Sequence, residues 1–227
     1  MKKERNIFMT KQSNELKNIS NPSSESSEIV GQFFYWGPLL FKIKLQPQDL
    51  EKCANLCSKK SSEVSDSLAG VIKHQHYVSS HQYYKIINPY LSAFRQAYNE
   101  WYGKSLTRTI QMSAAWVNFM VAAEFNPPHI HTKCDFSSVL FVKIPEALKE
   151  EHKKFTGTGG GPGAISFIHG GAQNFSISHI NLLPEEGDFY MFPASLTHFV
   201  SPFTSKGERI SISANFKFER NKIKEDK

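Results

Sequence analysis

Cysteine is scarce in this chain: Cys53, Cys57 and Cys134 are the only three in 227 residues. So low and odd a count argues against a disulfide scaffold and for packed thiols in a reducing compartment. Long apolar runs are missing as well. No stretch approaches the roughly 18 apolar residues needed to cross a bilayer, and the N-terminus has no apolar segment of the signal-peptide kind. A soluble, cytoplasmic protein without a membrane partner is expected. Charge of one sign is not gathered anywhere. The net charge is +6, but Lys and Arg are scattered and both ends (MKKERN and ERNKIKEDK) mix signs. Nucleic acid is therefore not the expected partner, although a basic balance does raise nonspecific affinity for phosphates. No internal repeat is present. The run GTGGGPG lacks the Lys-Ser/Thr ending of a phosphate loop and opens no helix, so residues 155–163 are expected to form a mobile loop. Nothing in the sequence speaks to oligomeric state.

What is present is enough apolar surface for one sizeable core: 40% apolar and 13% aromatic residues, with 18 Phe. Residues 1–28, ending SNPSSESSE, have too little of it to offset their ordering entropy and are expected to be a disordered tail. A single domain is expected over 29–218, followed by a charged tail, 219–227. Within the domain, about 33–103 reads as helical support. QPQDLEKCANLC carries Leu50, Cys53, Ala54 and Cys57 at helical spacing. NPYLSAFRQAYNEWYG has Pro89 in its first turn, an apolar stripe and a closing Gly103. HQHYVSSHQYY between them is ambiguous. From about 107 the texture changes to six or more short strands punctuated by Gly and Pro, with LKEEHKKFTGTGGGPG as an exposed loop among them. The fold class expected is mainly β with N-terminal helices, an antiparallel barrel or sandwich over 107–218.

Candidate functional residues sit in that barrel. In NPPHIHTKCD an extended chain would point His129 and His131 to the same face, and imidazole is the commonest metal ligand. His198 follows a strand and a Pro-containing turn in GDFYMFPASLTHF. Eleven residues later, ERISISANF alternates Arg209, Ser211, Ser213 and Asn215 with an apolar set. A guanidinium beside a serine hydroxyl is suited to gripping a carboxylate. A second histidine group, His74, His76 and His81, precedes the barrel and is not expected to bind metal.

These segments, with WVNFMVAAEFNPPHIH and GAISF, resemble the 2-oxoglutarate and Fe(II)-dependent oxygenases. The likeness is to a small, prolyl-hydroxylase-like branch with a Pro-His-x-His motif, found in bacteria and their phages. It covers about 110–218 and implies a double-stranded β-helix (jelly-roll, cupin-like) barrel. It implies an oxidoreductase with Fe(II) and 2-oxoglutarate as cofactors, a dioxygenase that hydroxylates a substrate while decarboxylating 2-oxoglutarate to succinate. Carried over, His129 and His198 are metal ligands, Arg209 holds the distal carboxylate of 2-oxoglutarate with Ser211 assisting, and Trp116 and Asn118 line the pocket. The chain departs from the wider pattern at one point, where His131 stands in place of Asp or Glu. Either His131 or Asp135 completes the metal set. The same spacing also resembles the cupins, so a cupin-like metalloprotein (a 2-oxoglutarate-independent dioxygenase or a small-molecule binder) is the alternative. The substrate, a protein side chain or a small molecule, is not identified by the sequence.

Overall fold

The computed structural model describes residues 16–19, 29–32, 37–103, 109–174 and 176–219. Of the expected tail, Leu16–Ile19 (β1) pairs antiparallel with Ile29–Gln32 (β2) just beyond it. The rest of 1–28, and 220–227 at the other end, lie outside the described residues. The domain then runs β3 (Phe41–Lys44), α1 (Pro47–Leu56), a short helical turn (Ser65–Ser67), β4 (His74–Tyr77) and α2 (Ser80–Tyr102). Next come β5 (Thr109–Met120), β6 (Asn126–His129), β7 (Phe136–Lys143), α3 (Glu146–Lys153), β8 (Ile165–Ile168) and β9 (His179–Leu182). β10 (Asp188–Pro193), β11 (Thr197–Val200) and β12 (Arg209–Glu219) complete it.

Two antiparallel sheets form the barrel. The larger has the order β3-β10-β7-β12-β5-β4 and the smaller β6-β11-β8-β9. Alternation along the strands makes two cores from one sheet. On the outer face Ala115, Val117 and Phe119 of β5 and Ile212, Ala214 and Phe216 of β12 pack with Tyr83, Ile87, Leu91 and Phe94 of α2. On the inner face Met120, Val139, Phe141, Tyr190 and Phe192 meet Ile165, Phe167 and Val200 of the smaller sheet. β7 serves both cores and is buried along its length save for Lys143, which is why its residues 139–142, VLFV, are apolar without alternation. This is the double-stranded β-helix that the sequence led us to expect, with helices backing the larger sheet.

The helices differ from expectation in two places. α2 begins not at Asn88 but at Ser80, where the Ser79 side chain accepts from Gln82 N at 3.5 Å, and Pro89 lies inside it. A proline interior to a helix removes one backbone bond, but Tyr83 and Ile87, both fully buried on the sheet, hold the preceding turns in place. Gly103, at φ 60°, ends the helix. The charged stretch expected as loop is in part α3. Leu148 is buried beneath it, and the Glu151 carboxylate accepts from Thr204 N, Thr204 Oγ1 and Ser205 N at 2.8–3.1 Å. Gly163 must remain glycine for two reasons: its φ is +69°, and a Cβ there would stand 2.7 Å from Leu148.

Candidate metal centre and its cavity

His129 and His198 are direct partners across the β6–β11 pair. One antiparallel rung therefore delivers two imidazoles to one point. Each ring is fixed by the same local device, with Nδ1 bonded to the carbonyl two residues upstream: His129 to Pro127 O at 2.7 Å and His198 to Leu196 O at 2.9 Å. A carbonyl only accepts, so Nδ1 carries the proton and Nε2 keeps its lone pair. His131 lies just beyond β6, held by its backbone N–H to Ala194 O at 2.9 Å. The ligand atoms of the three histidines lie within 4.8 Å of one another. Burial, and then the neighbouring His129, push the His198 imidazole down to about 3 and His131 to about 4. Both are neutral at physiological pH, the form in which imidazole binds a metal.

Asp135, the alternative ligand, is elsewhere. The chain does turn after His131, with Lys133 at φ 63°, but the turn carries Asp135 to the barrel rim. There its carboxylate accepts from Phe218 N at 2.7 Å and its backbone bonds Phe216 and Ala194. The second histidine group is likewise outside the cluster. His76 Nδ1 bonds Ser61 O at 2.9 Å, on the side of β4 away from the cavity.

A cavity of about 400 Å³ opens over the imidazoles and is lined by all three, by Trp116, Asn118, Arg209, Ser211, Ser213 and Asn215, and by the strap 64–70. Trp116, which the resemblance placed at the pocket, is a cavity wall with its ring 5.9 Å from His131. Among the described residues Arg209 is the one permanent charge that lines the cavity. It is 1% exposed, and neither Nε nor Nη2 has a partner. Its remaining contacts are soft: Nη1 to Met120 Sδ at 3.6 Å and the Phe141 ring face at 4.6 Å. Glu208, next in sequence, pairs outward with Lys59. Burial without an answering anion pushes the guanidinium down to about 9. Beside it Asn118 Nδ2 donates to Ser213 Oγ at 3.1 Å and to Ser211 Oγ at 3.4 Å.

Gln75 and Tyr77 also line the cavity and were missed in the sequence, where HQHY drew attention to its histidines. The signal was available: on a strand, Gln75 and Tyr77 share the face opposite His74 and His76.

A jelly-roll barrel with a histidine trio and an unanswered arginine in one cavity has the parts of a metal-dependent enzyme acting with an anionic cosubstrate. Residues 114–215, the segment that carries the three histidines and Arg209, match the family described as "Putative 2OG-Fe(II) oxygenase". Over that segment, somewhat under half of its length, the chain is similar to this family, whose description names oxidoreductases that work with Fe(II) and 2-oxoglutarate. No curated protein matches it in sequence. Among solved structures it is similar to a Pseudomonas putida prolyl-4-hydroxylase (14% identity, TM-score 0.53, covering 80% of this chain and 93% of that one). It is similar also to a Trichoplax adhaerens prolyl hydroxylase in complex with a hypoxia inducible factor peptide fragment (10%, 0.53, 78% and 82%). At these identities the likeness is one of fold. Among the described residues no helix is long and apolar enough to cross a membrane.

Proposed function

We propose that the protein hydroxylates a substrate C–H at a centre held by His129, His131 and His198, with 2-oxoglutarate anchored by Arg209 and Ser211. Bound there, Fe(II) with 2-oxoglutarate supplies the oxidation, one oxygen atom of O₂ going to the substrate and the other to the keto acid, which leaves as succinate and carbon dioxide. The protein's part is to position and to exclude. Pro127 O and Leu196 O hold two imidazoles with Nε2 presented, so little ring freedom is lost when a metal is bound. Three neutral ligands leave a divalent ion its full charge, which strengthens its hold on an anionic cosubstrate. Asn118 orients the Ser211 hydroxyl next to the guanidinium. Trp116 walls the cavity on the His131 side. The three cysteines are unpaired, and the cytoplasm, a reducing compartment, is the location that we assign.

The observation that carries this reading is Arg209. A buried guanidinium with two unpartnered nitrogens is costly unless an anion completes it, and the cavity that it lines is shared with the three histidines. The test is anaerobic titration of 2-oxoglutarate into the Fe(II) protein, followed by the metal-to-ligand charge-transfer absorbance. The wild type is expected to develop the band, and Arg209→Met to need at least about thirtyfold more 2-oxoglutarate for it, the equivalent of losing roughly 2 kcal/mol from a charge-assisted contact. Absence of the band in the wild type would favour the cupin-like alternative.

A further inference from the structure

Resting on that reading of the site, we infer that Gln75 selects the substrate, and that the group it selects is an uncharged amide. Three observations converge. The first is a network of fixed polarity. Asn118 Nδ2 lies 3.4 Å from the backbone carbonyl of Ser211, which can only accept. The Asn118 nitrogen must face that carbonyl, so its oxygen must face Gln75. Gln75 Nε2 accordingly donates to Asn118 Oδ1 at 2.7 Å. Gln75 Oε1 is thereby left over, buried and without a partner, on a residue that is 1% exposed and lines the cavity. An orphaned acceptor in a buried wall calls for a donor. The second observation is at the other end of the same network. Ser213 Oγ accepts from Asn118 Nδ2 at 3.1 Å, so its own proton is free to be given. The wall thus offers one acceptor and one donor joined through Asn118, the complement of an amide N–H and C=O. The third is charge. Among the described residues no Asp, Glu or Lys lines the cavity, and the one guanidinium there is assigned to the cosubstrate. A carboxylate, ammonium or phosphate on the reacting part of a substrate would find no further charged side chain to pair with among these.

The wall is also held rigidly. Val64 N donates to Gln75 O at 2.9 Å, tying the strap to β4. At Gly70 on the strap, a Cβ would come within 2.3 Å of Asn126 Oδ1 and 3.2 Å of Gln75 Nε2. The close approach of the strap to Gln75 thus requires glycine at this position.

The test is calorimetric titration into the wild-type protein loaded with Zn(II) and 2-oxoglutarate, where nothing turns over. The probes are N-acetyl amino acid methylamides covering the coded side chains other than proline, so that each carries two amide N–H groups, the free amino acids, and analogues of the best binder with each N–H replaced in turn by an ester oxygen. At least one methylamide is expected to bind more tightly than its free amino acid. One of the two ester replacements is expected to weaken it about tenfold. In Gln75→Met, which removes the acceptor at similar volume, the same replacement is expected to cost nothing further. No binding by any methylamide, preference for the free amino acids, equal affinity for both esters, or a penalty that persists in Gln75→Met overturns the assignment. If Gln75→Met fails to fold, the ester series on the wild type decides alone. A charge-transfer band with Fe(II) and 2-oxoglutarate separates the two levels. With the band present, failure of the methylamides refutes the role of Gln75 only; without it, both readings fall.

Discussion

Replacing Arg209 with methionine should move stability in opposite directions depending on what occupies the cavity. With the cavity empty, burial pushes the guanidinium from 12.5 to about 9. At about 1.4 kcal/mol for each pKa unit, this places the cost of the charge on the order of 5 kcal/mol. A base whose pKa is depressed in the folded state carries that cost at every pH below the lower value, and sheds it only as the pH rises through it. At neutral pH the cost is fully present. Against it stands the contact with the Phe141 ring, worth about 2 kcal/mol when desolvated. Methionine retains most of the packing and abolishes the charge, so the metal-free variant should be more stable than wild type by roughly 1 to 3 kcal/mol, or about 3 to 10 °C in Tm for a chain of this size. With Zn(II) bound and 2-oxoglutarate added, the order should reverse: the wild type gains Tm by mass action and the variant does not. Scanning calorimetry of both proteins in both states measures this. A metal-free variant that melts below wild type would show that Phe141 and Met120 already satisfy the arginine. A variant that keeps the full 2-oxoglutarate shift would show that the anion is held elsewhere. Either result refutes the argument.

His198→Ala should abolish stoichiometric binding of Fe(II) or Zn(II), because it removes one member of the β6–β11 rung, whereas Asp135→Asn should leave metal affinity within about twofold and cost only roughly 1 kcal/mol from the weakened bond to Phe218 N. Metal analysis after dialysis distinguishes the two, and loss of metal in Asp135→Asn would reinstate it as a ligand. Burial raises the Glu151 carboxyl, but the bonds from Ser205 and Thr204 outweigh it and hold it down at about 2. An acid whose pKa is depressed on folding stabilises above its unfolded value and loses that contribution as the pH falls through the folded one. Stability tied to α3 should therefore decline between about pH 4.5 and 2. Glu151→Gln should cost about 2 kcal/mol at pH 7 and flatten that decline, as followed by urea melts across the acid range.

What the sequence made legible was governed by alternation. β12 announces itself because Arg209, Ser211, Ser213 and Asn215 alternate with an apolar set, and the same period places His129 and His131 together. Order along the chain then brings His198 to them, since the strand pairing of this barrel returns it to β6. Where local pattern and tertiary packing disagree, the reading fails. The start of α2 lies in polar VSSHQ, and only burial of Tyr83 and Ile87 against the sheet carries the helix across Pro89. α3 has a single buried residue, too few for a period to show. The choice between His131 and Asp135 depends on which way one turn at Lys133 faces. Gln75 was hidden for the opposite reason. It is a neutral residue between two histidines, and its importance lies in a bond that it does not make.

The pairing of His129 with His198 has a consequence for how the chain folds. The segment between them contains β7, α3, β8, β9 and β10, so an ion shared by the two histidines would close one long loop as a covalent cross-link does. Such a clip acts mainly on the unfolded ensemble, and the closure entropy that it removes grows with the length enclosed. The metal would therefore be a topological fastener for the smaller sheet, joining the first of its strands along the chain, β6, to the last, β11. A chelator would be felt first along β6 and β11, as faster amide exchange at that seam, while the outer core beneath α2 stayed closed.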